Sequence, residues 1–107
     1  MAGPLALRFG ELVIDLERYQ VRLADKPLLL SYREYGLLVY LAGRSGQTVP
    51  KRQLLEEGLG RHDAGGLQAV EEHIRHLKGQ LEEHGQCVIR EVGESGYRFE
   101  PLRHPRA

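Results

Sequence analysis

Apolar and polar residues alternate through the first part of the chain: Leu5, Leu7 and Phe9, then Leu12, Ile14 and Leu16, then Tyr19, Val21 and Leu23. A repeat of two sends successive side chains to opposite faces of a strand. The alternation breaks at Gly10-Glu11 and at Ala24-Asp25-Lys26-Pro27, which predicts a short antiparallel meander with one buried face. That face needs a cover. Ser31-Tyr32-Arg33-Glu34 has the spacing of a capping box, in which the serine hydroxyl accepts the Glu34 amide while Glu34 reaches back to the Ser31 amide. Leu30 and Tyr35 stand at the staple positions around it. Tyr35, Leu38, Leu41 and Ala42 then form a helical stripe, and Gly46 is placed for a left-handed C-cap. A second, shorter helix is expected with Pro50 in its first turn, Leu54 and Leu55 facing inward and Gly58 at its end.

Four glycines among nine residues make 58–66 a loop. The clearest helical signal follows: Leu67, Val70, Ile74, Leu77 and Leu81 step by three and four, so all five share one face and are expected in the core. At 100° per residue the opposite face carries Gln68, Ala69, Glu72, Arg75, His76 and Gly79. A glycine inside a helix costs about 1 kcal/mol against alanine, so Gly79 points to a close approach, a bend or plain tolerance. The alternation returns at Val88-Ile89-Arg90-Glu91-Val92 and at Tyr97-Arg98-Phe99. Gly93-Glu94-Ser95-Gly96 lies between as a hairpin tip. The expected class is α+β: an N-terminal antiparallel β-meander, three helices and a C-terminal β-hairpin, the winged helix-turn-helix order. Residues 1–107 are expected to form one domain with its core at about 5–100 and a mobile tail at 101–107.

Charge complicates any nucleic-acid reading. Fifteen basic and fifteen acidic residues give a formal net charge of zero, whereas phosphate binding draws much of its affinity from excess Lys and Arg. Composition therefore argues mildly against nucleic acid, and the case must rest on pattern. The apolar runs are too short to span a bilayer, and Met-Ala-Gly-Pro lacks the charged and apolar regions of a secretory signal. The single cysteine, Cys87, cannot form an internal disulfide and reads as a small strand-edge residue. A reducing, cytoplasmic setting without membrane contact is expected.

Taken in order, Leu30-Ser31 through Glu34, Leu37-Leu38, Gln53-Leu54-Leu55, Val70 with His73-Ile74-Arg75 and Leu77, and Gly96-Tyr97-Arg98-Phe99 resemble the effector domain of OmpR/PhoB-type response regulators of two-component systems. The resemblance covers about residues 5 to 100. It implies sequence-specific binding of double-stranded DNA in transcription regulation, with the third helix in the major groove and the hairpin wing near the minor groove. It also implies that the loop at 58–66 is a place to meet RNA polymerase, and that two copies can bind in tandem.

The residues it assigns to DNA are Gln68, Ala69, Glu72, His73, Arg75, His76 and Lys78 on the third helix. Arg33, Lys51 and Arg52 join them near helix starts, and Tyr97 and Arg98 on the wing. Without the resemblance the same helix face reads as an ordinary solvated one, Arg33, Lys51 and Arg52 serve solubility equally well, and Tyr97 is first a packing residue. The chain departs from the pattern in places. His76 stands where an arginine often reads bases, Glu72 where an aliphatic residue often meets DNA, and Gly93-Glu94-Ser95-Gly96 replaces the usual Arg-Gly-Thr-Gly. From Leu67 to His84 two bases, Arg75 and Lys78, face four acids, Glu71, Glu72, Glu82 and Glu83, for a local charge of −2. These departures motivate an alternative: a winged helix turned protein-interaction module.

His73 and His76 with Glu72 and Cys87 fall short of the converging ligands zinc needs, so no metal is expected. No glycine-rich phosphate cradle, nucleophile–base arrangement or paired carboxylates in a cleft stand out, so neither a cofactor nor an enzyme is expected.

Overall fold

The computed structural model describes residues 5–59, 65–83 and 89–100. The expected meander forms a four-stranded antiparallel sheet in sequential order: β1 (Ala6–Phe9), β2 (Leu12–Asp15), β3 (Gln20–Leu23) and β4 (Lys26–Leu28). The fourth strand corrects the sequence reading, which treated residues 24–27 as a break. Leu23 pairs with Lys26, and the two residues between them, Ala24 and Asp25, both adopt positive φ (52° and 67°). This is the mirror-image turn that matches strand twist, reached here without the usual glycine. Alternation alone puts Tyr19 in a strand. It sits instead in the preceding turn at φ 56°, with its ring stacked edge-on against Tyr35.

One face of the sheet is dry. Leu12, Ile14, Val21, Leu23 and Leu28 are buried under α1 (Tyr32–Ala42), which presents Leu37, Leu38 and Leu41 to the same core. The capping box is formed as the spacing required: Glu34 N–H donates to Ser31 Oγ (3.1 Å) and Ser31 N–H donates to Glu34 Oε1 (2.9 Å). The helix ends a turn earlier than expected, with Gly43 as its right-handed cap. Gly46 does take positive φ (85°), but in the following turn, where its N–H donates to the Phe99 carbonyl.

Pro50 does not open a helix directly. It ends a short strand, β5 (Thr48–Pro50), at the edge of a second sheet where a missing N–H is tolerated. The second helix begins as α2 (Lys51–Gln53) and widens into a π-helical stretch, Leu54–Leu59. Leu54 is buried and Leu55 only half so. Gly58 lies inside that stretch rather than ending it; a Cβ there would stand 3.1 Å from a Leu37 methyl.

The long helix α3 (Gly66–Glu83) buries Val70, Ile74, Leu77 and Leu81. Leu67, in the first turn of α3, is the exception: it is 41% exposed. The chain closes with β6 (Ile89–Val92) and β7 (Gly96–Phe99). They pair as the expected hairpin, and a third strand joins it from outside. Strand β5 pairs with β7 to make a three-stranded sheet, order β5-β7-β6, which ties the wing to the entrance of α2. Val88, Cys87, residues 60–64 of the expected loop and the tail at 101–107 lie outside the described residues.

Candidate nucleic-acid interface

The four buried residues of α3 set which side of it faces out. Gln68, Glu72, Arg75, His76 and Gly79 are exposed and Ala69 is half-buried, so the expected outer face exists as one surface. His73 and Lys78 flank it, both half-buried. Glu72, Arg75, His76, Gly79, Gln80 and Glu83 line a shallow recess of about 420 Å³ along this face. Arg75 also lines a second recess of about 320 Å³ between α3, α2 and the wing, shared with Lys51, Glu71, Lys78, Glu91 and Tyr97. The fold thus brings Lys51, the α3 pair Arg75 and Lys78, and Tyr97 to one concavity from three separate stretches of the sequence.

Two of the cations assigned to DNA, Lys51 and Arg98, are held by carboxylates. Lys51 Nζ donates to Glu71 Oε2 at 2.9 Å and lies 5.8 Å from the centre of the Tyr97 ring. The bond to Glu71 raises the Lys51 ammonium above its ordinary value. Tyr97 is 2% exposed, and burial pushes its phenol up. Arg98, on the same strand, points to the other face as its neighbour's burial requires. Its guanidinium donates to Thr48 Oγ1 through Nε and a terminal nitrogen (3.2 and 3.0 Å) and to Glu100 Oε2 (2.8 Å). Glu100 also pairs with Arg90 (3.0 Å) and is held below the usual carboxylate range, chiefly by the Arg98 hydrogen bond.

His76 is similarly engaged. Its Nδ1 is in contact with Glu34 Oε2, from the first turn of α1. The Glu34 side chain is 6% exposed and that of His76 62%, so the pair runs from the protein interior to the outer face of α3. Arg52 is exposed in the first turn of α2. Arg33 is not brought to the α3 recesses; it lines a different hollow with Tyr19, Tyr32, Tyr40 and Leu59.

Sequence reasoning missed the acids that partner these bases. Glu100 was findable, since a spacing of two along a strand puts it on the face of Arg98. Glu71 and Glu34 were not, because their partners lie 20 and 42 residues away.

Residues 25–99 match the family described as "Transcriptional regulatory protein, C terminal". The transcriptional regulatory protein QseB of Escherichia coli O157:H7 is 37% identical over 92 residues, which cover 85% of this chain and 40% of QseB. The response regulator protein PmrA of Pseudomonas aeruginosa is 35% identical over 88 residues, covering 82% and 38%. The chain therefore spans about two fifths of the length of these curated relatives. Among solved structures, the RstA DNA-binding domain of Klebsiella pneumoniae, determined in complex with the RstA box, superposes with a TM-score of 0.75 at 29% identity, over 91% of this chain and 98% of that one. The response regulator DrrB of Thermotoga maritima, an OmpR/PhoB homologue, gives 0.79 at 26% identity over 90% of this chain and 44% of DrrB. Family match, relatives and architecture agree, and the chain belongs to the OmpR/PhoB-type winged-helix DNA-binding domains of transcriptional regulatory proteins.

Proposed function

We propose that this domain binds duplex DNA with sequence specificity as the effector part of a transcription regulator. In this reading α3 lies in the major groove, Lys51 and Arg52 at the start of α2 approach phosphates, and the hairpin between β6 and β7 lies along the adjacent minor groove. The observation that carries it is the placement of Arg75. It stands exposed on α3 between the two recesses, on a helix held in orientation by four buried apolar side chains. The RstA domain, of the same fold, was solved on its DNA box, which supports the same mode here.

The acid partners shape the expected affinity. Lys51 must exchange Glu71, and Arg98 must exchange Glu100, before either can neutralise a phosphate. Nonspecific binding should accordingly be weak and its salt dependence shallow, with the observed constant falling by roughly 0.9 log units per log unit of salt for each phosphate neutralised. Contacts with RNA polymerase near residues 58–66 and tandem binding of two copies belong to the same reading.

Selection from a random duplex library, followed by titration at several salt concentrations, tests the reading. Arg75→Ala, which leaves the Glu34–His76 pair in place, should abolish the selectivity while leaving the melting transition nearly unmoved. Unchanged affinity in that variant would remove α3 from the groove. No binding to any duplex at low salt would favour instead the protein-interaction module, for which the pairing of Lys51 with Glu71 and of Arg98 with Glu100 is the supporting observation.

A further inference from the structure

Glu34 is the one charged side chain found buried among the described residues, and its two oxygens have separate duties. Oε1 accepts the Ser31 N–H of the capping box, and Oε2 faces His76 Nδ1. A carboxylate only accepts hydrogen bonds, so opposite the Glu34 carboxylate it is the Nδ1–H tautomer of His76 that completes the pair. In a neutral imidazole one nitrogen carries hydrogen and the other offers a lone pair. With Nδ1–H turned to Glu34, the outer nitrogen Nε2 is an acceptor, and it becomes a donor only when the ring is protonated.

We propose that Glu34, which itself lies outside the DNA-facing surface, is a positioning residue for base recognition. It holds the Nδ1 proton of His76, so that the neutral ring presents Nε2 to the groove as an acceptor and selects a base edge bearing an amino group. This rests on the groove-facing role of α3 proposed above. In the major groove the amino donors are adenine N6 and cytosine N4; guanine N7 and O6 and thymine O4 are acceptors and are refused by a bare Nε2. Protonation reverses the choice, adding a charged donor suited to guanine. The charged groups around the ring are Glu34 from α1, and Glu72, Arg75 and Glu83 from its own helix, which line the same recess. A histidine here thus reads differently from an arginine, which can only donate.

Glu34→Gln separates this from a purely structural role. The Ser31 N–H still needs an acceptor, so the amide oxygen takes Oε1's place and the amide NH₂ turns to His76. The neutral ring must then accept at Nδ1 and carry its hydrogen on Nε2. Nitrogen-15 NMR of the chain at a pH where the ring is neutral should show Nδ1–H in the native protein and Nε2–H in the variant. Library selection at that pH should show one position moving from an amino-bearing base to guanine or thymine, by about three- to tenfold in relative affinity, the worth of one net hydrogen bond. His76→Ala should erase the preference in both backgrounds.

A reversed tautomer with unchanged preferences at every position, on a duplex still bound, would overturn this inference and leave the DNA reading standing. Absence of duplex binding by the native chain would overturn both. Should Glu34→Gln fail to fold, the native chain decides the matter alone. As the pH is lowered and the nitrogen shifts report protonation of Nε2, the preference at that position must move to guanine, and its failure to move overturns the proposal.

Discussion

Gly96 on β7 passes so close to Val49 on β5 that a Cβ at Gly96 would stand 2.0 Å from the Val49 carbonyl oxygen. The neighbouring Pro50 Cα would be 2.9 Å away, so the obstacle is backbone that no side-chain rotation can clear. This contact is what allows β5 to join the wing sheet, pairing Pro50 with Gly96 and Val49 with Tyr97. Gly96→Ala should therefore push β5 off β7 at a cost of about 3 kcal/mol, the upper end for overpacking. Urea unfolding measures it. A loss under about 1 kcal/mol would mean that β5 and the wing are not tied as described.

Two leucines of α3 that share one sequence stripe should behave differently. Leu77 is fully buried, and Leu77→Ala should cost about 2–5 kcal/mol. Leu67 is 41% exposed, and Leu67→Ala should cost about 0.5 kcal/mol or less. Equal losses in denaturant unfolding would show that the first turn of α3 packs more deeply than described.

Gly79 stands mid-helix with nothing within 4 Å of where its Cβ would be. No internal close approach or turn requires the glycine. Gly79→Ala should raise stability by about 1 kcal/mol. If α3 enters a groove, the same change should weaken duplex binding wherever the helix backbone lies against DNA. Thermal melting and anisotropy on the selected duplex read the two effects separately; a melting point that drops would show that position 79 is not ordinary helix.

Acid should weaken the fold through two surface carboxylates. The Asp15 carboxyl is held below its ordinary value, first by the Arg18 backbone N–H and then by the Arg18 side chain and the Glu17 N–H. Glu100 is held down chiefly by Arg98. Both groups are more acidic folded than unfolded. Their contribution is present above the ordinary values of 3.8 and 4.5 and is lost as pH falls through the lower folded values. Asp15→Asn should thus be less stable than the native chain at neutral pH, with the gap closing as pH falls below 3.8. A gap independent of pH would assign the loss to something other than the carboxylate.

The wing tip offers a test by charge. Gly93 adopts φ +55°, so an arginine there would be strained, whereas Glu94 is an exposed turn residue. With the wing beside a minor groove, Glu94→Arg should tighten binding and steepen the salt dependence by roughly one phosphate's worth. An intact fold with unchanged affinity at every salt concentration would place the wing away from DNA.

Local rules carried much of this fold. Ser31 and Glu34 meet because three residues separate them at a helix start, and Val70, Ile74, Leu77 and Leu81 share a face because of helical pitch. Where local patterning failed, a longer-range contact had overridden it. Residues 24–27 looked like a break, yet Ala24 and Asp25 accept positive φ because Leu23 and Leu28 on either side are drawn into the core. Thr48-Val49-Pro50 is too short to announce a strand and becomes one only because β7 lies beside it.

The order of residues was enough to place the first three strands, the helices and the closing hairpin, together with the inward face of α3 and the outward set that includes Arg75 and His76. Periodicity and caps act within one element, and the order of side chains suffices to express them. Only the tertiary structure decided what those outward groups touch: Lys51 on Glu71, Arg98 on Thr48 and Glu100, and His76 on a carboxylate 42 residues distant. The physical reason is that electrostatic and hydrogen-bond partners are chosen by distance in space, and for residues on different elements that distance is set only when the core has packed.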